Sequence, residues 1–188
     1  VEVVHIPLEQ EPALAAFRRG LAHPERPFIL LKWAASLDGK IAATGGGSQW
    51  LSGAAARAEV HALRSIADAI LCGAGTLRAD DPELTARPQA GAAERQPLRI
   101  LLDAPRELKA SARLLAAPGP RLWVVGPGGR APEAAPASDR VHTVPREVGG
   151  RLDLAALARD LRRDFAVRRL LVEGGARVHG SFLDQQLV

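Results

Sequence analysis

The chain contains a single cysteine, four phenylalanines, three tryptophans and five histidines among its 188 residues. A lone cysteine rules out an internal disulfide. Cys72 lies in the apolar run Ala69-Ile70-Leu71-Cys72 with no histidine near it in sequence, so it reads as a small buried hydrophobe and not as a reactive thiol. A reducing, cytoplasmic compartment is consistent with that reading. No apolar stretch approaches the ~20 residues of a membrane span, which argues against a membrane protein. The start, Val1-Glu2-Val3-Val4, lacks an initiator methionine and a signal-peptide pattern and reads as a fragment boundary. The histidines show no metal-ligand spacing: there is no His-Glu-x-x-His and no Cys-x-x-Cys, so no metal is expected. No Gly-x-Ser-x-Gly elbow is present, and a serine hydrolase is not indicated. The net charge of +4 and pI of about 10.2 come without any Lys/Arg-rich run. Dispersed arginines and few stacking aromatics argue against nucleic acid, and suit a pocket for a small phosphorylated ligand.

What is present is a core: 47% of residues are hydrophobic, and the length suits one domain. The spacing of Leu14, Phe17, Arg18 and Leu21 predicts a helix over residues 8–22. Pro27 to Ala34 reads as a strand buried on both faces and interrupted by one lysine, Lys32. Asp38-Gly39 reads as a turn. Ser52 suits the N-cap of a helix reaching Arg64. Asp68 to Gly73 reads as a second buried strand, Gly73-Ala74-Gly75-Thr76 as a Gly-rich turn, and Arg78 to Pro82 as a polar turn. Residues 86–97 and Gly126 to Ala137 read as loops. Further strands are expected at Leu98 to Leu102, Leu122 to Val125, Val141 to Val144 and Arg169 to Glu173. Helices are expected from the Asp153 cap through Arg163 and from Ala176 to Gln185. Alternating strands and helices imply α/β layers around a mostly parallel sheet.

Four features carry chemistry. Leu171-Val172-Glu173-Gly174-Gly175-Ala176-Arg177 is a strand, a glycine pair and a helix start, where backbone N–H groups can approach a diphosphate; it lacks the full dinucleotide fingerprint, so a ligand-free tight turn is the alternative. Gly73-Ala74-Gly75-Thr76 is a second glycine turn past a buried strand, and ligands of open α/β sheets sit beyond such strand ends. Lys32 inside an apolar strand calls for a partner, with Asp80 or Asp81 as candidates, unless it snorkels from an edge. Trp50, in Ser48-Gln49-Trp50, either plugs the core or stacks on a flat ring.

In order, the segments Leu31-Lys32-Trp33-Ala34-Ala35-Ser36-Leu37-Asp38-Gly39-Lys40-Ile41-Ala42, Gly47-Ser48-Gln49-Trp50-Leu51-Ser52, Ala56-Arg57-x-x-Val60-His61-x-Leu63-Arg64, Asp68 through Arg87 and Val172-Glu173-Gly174-Gly175 resemble the reductase domain of the bifunctional riboflavin-biosynthesis deaminase/reductase family. The match is almost continuous over residues 27–87. The resemblance implies a dihydrofolate-reductase-like three-layer α/β/α fold with a mostly parallel central sheet. It implies NADPH-dependent reduction of 5-amino-6-(5-phosphoribosylamino)uracil to the ribitylamino product, and a homodimer. By family position, Ala34, Trp50, Thr76, Asp80 and the stretch Gly175, Ala176, Arg177, Val178, His179, Gly180 and Ser181 approach the cofactor. Ser48, Arg64, Leu84, Arg87 and Glu173 approach the substrate. The residue types agree: Arg64 and Arg87 suit a ribose phosphate, Ser48 can donate to it, and Glu173 can accept from a sugar hydroxyl or the pyrimidine.

Residues 1–24 are then expected to be the end of a preceding deaminase domain and a linker helix. Residues 25–188 are expected to be the reductase domain without its closing strands. Lys32 and Asp80 are the expected catalytic pair, supplying the proton transfer that opens the sugar ring; a structural ion pair is the alternative. Two other readings stay open: a related pyridine-nucleotide reductase acting on another pteridine or pyrimidine, and a non-catalytic nucleotide-binding domain. The sequence names no residue for the cofactor's 2′-phosphate.

Overall fold

The computed structural model describes residues 12–19, 23–41, 51–87, 95–104 and 108–188. Its frame is six parallel strands: β1 (Phe28–Leu31), β2 (Ala69–Gly73), β3 (Leu98–Leu102), β4 (Arg121–Val125), β5 (Arg140–Thr143) and β6 (Arg169–Val172). They lie side by side in the order β1-β6-β2-β3-β4-β5. The last strand therefore inserts between the first two. All of its neighbours are parallel, with Leu31 opposite Val172 and Val172 opposite Leu71. Strands sandwiched between helix layers must be apolar on both faces; Ala69 to Gly73 is buried at every position.

Two helix layers cover the sheet. On one face, α1 (Pro12–Arg19), α2 (Ala54–Ile66), α3 (Ala74–Asp80) and the short α4 (Arg113–Ala116) pack Phe17, Leu63, Leu77 and Leu114 against Ile70, Cys72, Leu101 and Trp123. On the other, α5 (Leu154–Asp164) and α6 (Ala176–Asp184) pack Leu154, Leu157, Leu161 and Phe182 against Leu71, Ile100, Leu122 and Val172. The result is the expected three-layer α/β/α architecture. Helix α5 starts as its sequence requires: the Asp153 carboxylate accepts from the Ala156 N–H at 2.8 Å, and its apolar positions recur on one face.

Several local expectations are corrected. The first strand stops at Leu31, so Lys32 lies just past the strand end, half-buried, with its N–H continuing the ladder to the Val172 carbonyl at 3.0 Å. The cap of α2 is Gly53, not Ser52, and no side chain caps it; Ser52 instead offers its carbonyl to Arg57 at 2.6 Å. Gly73-Ala74-Gly75-Thr76 is not an extended turn. Gly73 ends β2 and caps α3 directly, so Arg78 to Asp80 are helical and the turn comes at Asp81, in the left-handed region at φ 39°. Residues 8–11, 20–22 and 88–94, parts of an expected helix and an expected loop, lie outside the described residues.

Candidate active site at the carboxyl edge of the sheet

Among the described residues, two cavities open at the carboxyl ends of the strands, where α/β sheets place their ligands. The first is a cleft of about 300 Å³ lined by Lys32, Arg57, His61, Arg64, Leu84, Arg87 and Glu173, among others. Lys32 follows β1 and Glu173 follows β6. These strands are neighbours, so the two side chains leave adjacent ladders. Arg64 comes from the last turn of α2, and Leu84 and Arg87 from the segment after α3. Residues that are 141 positions apart in sequence thus share one wall because β6 inserts beside β1.

The cleft is rich in positive charge. Lys32, Arg57, Arg64, Arg87 and Arg113 line it, against the carboxylates of Glu83 and Glu173. Arg64 and Glu173 form a bidentate pair, Nε to Oε1 at 2.6 Å and Nη2 to Oε2 at 2.9 Å, with side chains only 13% and 9% exposed. Arg64 Nη1 also donates to the Thr85 carbonyl at 3.1 Å. Glu83 is held by Arg113 and, at 3.4 Å, by Arg87; the Arg113 contact holds its carboxyl below the usual carboxylate range. The Lys32 ammonium has no ion-pair or hydrogen-bond partner among the described residues.

The backbone at this wall is constrained. Leu84 is buried yet adopts φ 53°, a conformation costing an L-residue roughly 1–2 kcal/mol. What holds it is Arg99, fully buried in β3. Its guanidinium donates to the carbonyls of Glu83 at 3.3 Å, Leu114 at 3.0 Å, Ala117 at 3.1 Å and Gly119 at 2.5 Å.

His61 faces the same cleft, and its Nδ1 is buried with no hydrogen-bond partner among the described residues. Burial, and then the charges of Arg64 and Arg87, push its pKa below the ordinary value, so its imidazole is neutral at pH 7. Cys72, at the floor between the two helix layers, has its thiol pushed far up by burial and by the Glu173 charge. It is inert, as its apolar run implied.

The second cavity is a groove of about 750 Å³ running over β2 and β3 toward the β5 side. Thr76, Gly175, Ala176, Arg177, Val178, Gly180 and Ser181 line it. The start of α6 has no side-chain cap, leaving first-turn N–H groups for an anion. The glycines differ in function. A Cβ on Gly73 would stand 2.7 Å from Val178, and one on Gly174 2.6 Å, so these two let α6 sit close to the strand ends; Gly175 meets only Thr76 Oγ1, at 3.9 Å, and stays open to the groove. His179 is not in the groove lining. It is buried, meets exposed Trp33 at an interplanar tilt of 51° with centroids 5.5 Å apart, and contacts the Val172 carbonyl at 3.3 Å.

Against the sequence expectations, Lys32, Arg64, Leu84, Arg87 and Glu173 come together in the cleft, and Thr76 with most of Gly175 to Ser181 in the groove. Ala34 lies past β1, half-buried, and lines neither cavity. Ser48 and Trp50 lie outside the described residues. The expected Lys32–Asp80 juxtaposition is not found. Asp80 is exposed at the end of α3, lines neither cavity and makes no bond to Lys32; it is near enough only for its charge to raise the Cys72 pKa. Asp81, the other candidate partner, accepts from the Arg113 N–H at 3.0 Å. The carboxylates that share the cleft with Lys32 are Glu83 and Glu173, and both are already paired, Glu83 with Arg113 and Arg87 and Glu173 with Arg64. Sequence reasoning assigned no role to His61, Arg99 or Arg113. The first lay within a quoted motif, and the second was visible as an arginine interrupting the apolar strand Leu98-Arg99-Ile100-Leu101-Leu102.

An α/β domain with an anion-receptive cleft beside a long ligand groove, both at the strand ends, is the class that this fold and site define. The chain matches the RibD C-terminal domain over residues 27–188 and belongs to that family. It is 37% identical over 180 residues to the riboflavin biosynthesis protein RibD of Chlamydia trachomatis, covering 95% of this chain and 46% of that protein. It is 36% identical over 170 residues to RibD of Bacillus amyloliquefaciens, covering 84% and 42%. Among solved structures, Acinetobacter baumannii RibD superposes with a TM-score of 0.74 at 29% identity, covering 93% of this chain and 46% of that one. The riboflavin biosynthesis reductase of Saccharomyces cerevisiae superposes with a TM-score of 0.66 at 25% identity, covering 84% and 67%. The fold is thus the dihydrofolate-reductase-like one. The chain spans about half the length of the curated relatives it matches.

Proposed function

We propose that this chain carries the NADPH-dependent reductase activity that converts 5-amino-6-(5-phosphoribosylamino)uracil to 5-amino-6-(5-phosphoribitylamino)uracil. The observation that carries the reading is the convergence of Lys32, Arg64, Arg87 and Glu173 on one cationic cleft beside a groove floored by the α6 N-terminus. A phosphorylated ribosylaminopyrimidine is the kind of anion such a cleft attracts. The groove suits a dinucleotide: it has open glycine backbone, an uncapped helix start and adequate volume.

Bound NADPH supplies the hydride from its nicotinamide C4. The chain's own contribution is to open the sugar and align it. The substrate is a glycosylamine. As the bond between C1′ and the ring oxygen breaks, the amine lone pair forms the C1′–N double bond and the ring oxygen takes a proton. Lys32 is the donor, because its ammonium stands in the cleft without a competing carboxylate. Hydride addition to C1′ then gives the ribitylamine, and Lys32 recovers a proton from solvent. Asp80 enters only as a second ionisable group at the rim, since it does not touch Lys32. Arg87, the more exposed arginine, takes the ribose phosphate together with Ser48. The Arg64–Glu173 pair sets the cleft wall, leaving the second lone pairs of the carboxylate for a sugar hydroxyl or a pyrimidine N–H. Leu84 packs beside the ligand. The same proposal includes a homodimer, the assembly that the resemblance implies.

The test is NADPH oxidation by the purified protein with the phosphoribosylamino substrate and with its dephosphorylated analogue. Turnover is expected with the first, and a much higher KM with the second. A folded protein that binds NADPH and oxidises it with neither overturns the reading.

A further inference from the structure

Beyond β3 the groove is bounded by an ion pair that the proposed chemistry leaves unused. Asp103 directly follows β3, at φ 42°. Arg146, from the loop after β5, grips its carboxylate with Nη1 at 3.1 Å and Nη2 at 3.0 Å. Nη1 also donates to the Gly150 carbonyl at 2.8 Å. The end of β4 makes room for this arrangement: a Cβ on Gly126 would stand 2.3 Å from Arg146 Nε. Asp103 and Arg146 both line the groove.

Their position decides which part of a dinucleotide they meet. The nicotinamide has to reach the cleft at the ends of β1 and β6. The diphosphate belongs at the start of α6, over β6 and β2. From there the groove extends past the ends of β2 and β3 to Asp103 and Arg146, which places the adenosine ribose beside these two. A carboxylate at such a strand end accepts a hydrogen bond from a ribose 2′-hydroxyl and repels a 2′-phosphate. Here the carboxylate is covered. A guanidinium has five N–H donors, and three of those on Arg146 are used by Asp103 and Gly150. The other groove arginines are placed differently: Arg151 is held by Asp184 at 2.7 Å, and Arg78 and Arg177 stand on α3 and α6.

We infer that Arg146 is the specificity-determining residue for the cofactor, selecting NADPH over NADH by neutralising Asp103 and offering its remaining donors to the 2′-phosphate. The inference rests on the cofactor reading of the groove and supplies the 2′-phosphate ligand that the sequence did not name.

The experiment is calorimetric titration of the purified protein with NADPH, NADH, 2′,5′-ADP and 5′-ADP, without turnover. The wild-type chain should bind NADPH at least about tenfold more tightly than NADH, and 2′,5′-ADP more tightly than 5′-ADP. Arg146→Ala should lose about tenfold or more for the two 2′-phosphorylated ligands, with NADH and 5′-ADP unchanged or tighter. Adding Asp103→Asn to that variant should return part of the NADPH affinity, because the uncovered charge is gone. Arg146→Ala that keeps the NADPH preference, or weakens all four ligands equally, overturns the selector alone; the second outcome would make Arg146 a brace for its loop. Wild-type protein that binds neither dinucleotide overturns the cofactor reading and the selector with it.

Discussion

The Arg64 guanidinium and the Glu173 carboxylate lock together through two parallel hydrogen bonds of 2.6 Å and 2.9 Å in the wall of the cleft. This pair joins α2 to the end of β6, and so couples the helix layer to the strand that was inserted last in the chain order. Removing one partner strands the other charge in a site that water hardly reaches. Arg64→Ala should cost about 3–5 kcal/mol, read as a lowered urea midpoint. Arg64→Lys should recover only part of that, because an ammonium cannot reproduce the fork. A fully stable Arg64→Ala would mean that the pair contributes nothing to the fold.

Lys32 and Arg87 line the same cleft but should fail in different ways. Lys32→Ala should lower kcat by roughly 100-fold or more with little change in NADPH binding, the range expected when a general acid is lost. Arg87→Ala should mainly raise KM for the phosphorylated substrate. Asp80→Ala should have a smaller effect than Lys32→Ala, since Asp80 is exposed and makes no bond to Lys32. Steady-state kinetics with calorimetric NADPH binding separate the three. Equal loss of kcat in Lys32→Ala and Asp80→Ala would restore Asp80 as an equal partner.

Much of this architecture was legible in the chain. Unbroken apolar runs such as Ala69-Ile70-Leu71-Cys72 declare strands buried on both faces, and Asp153 before Leu154, Leu157 and Leu161 declares a capped amphipathic helix. The reductase resemblance points to Lys32, Arg64, Leu84, Arg87 and Glu173 in the cleft and to Thr76 and most of Gly175 to Ser181 in the groove. Local chemistry did not disclose the rest. Ser52 and Gly53 are both acceptable caps, and only packing chose between them. Asp80 and Glu173 both offer a carboxylate to Lys32; the return of β6 between β1 and β2, a long-range event, brought Glu173 into the cleft and gave it to Arg64. Arg146 and Asp103 are 43 residues apart and belong to no motif, so their meeting depends on the strand order alone.

Arg99 supports the cleft from inside the sheet. Burial lowers its pKa to about 10, which still leaves it charged at neutral pH, and its contacts to the Leu114 and Ala117 carbonyls are buried. Arg99→Met should keep most of the volume but leave these carbonyls unpaired, at a cost of about 3 kcal/mol or more. The Glu83 to Arg87 segment should loosen with it, so KM for the phosphorylated substrate should rise in protein that still folds. Thermal unfolding and kinetics on the same sample test both halves. Arg99→Met with native stability and native KM would show that the four carbonyl contacts are incidental.

His61 and His179 give the fold a defined response to acid. Burial is the largest cause of the lowered pKa of each, reinforced by Arg64 and Arg87 at His61 and by Lys32 at His179. Both are neutral in the folded chain at pH 7, and both take up protons more readily once unfolded, where the ordinary value of 6.5 applies. The stability they contribute is therefore complete above about pH 6.5 and is lost as the pH falls through their folded values. The window down to about pH 5 lies above the range in which ordinary carboxylates titrate, so the effect can be read there without them. Urea midpoints measured at pH 7.5 and pH 5 should differ, with the lower midpoint at pH 5. The difference should shrink in His61→Asn, and the same variant should bind phosphorylated substrate with a flatter acid limb. A pH dependence unchanged in His61→Asn would remove this histidine as its source. An increase of stability on acidification would contradict the sign for both residues.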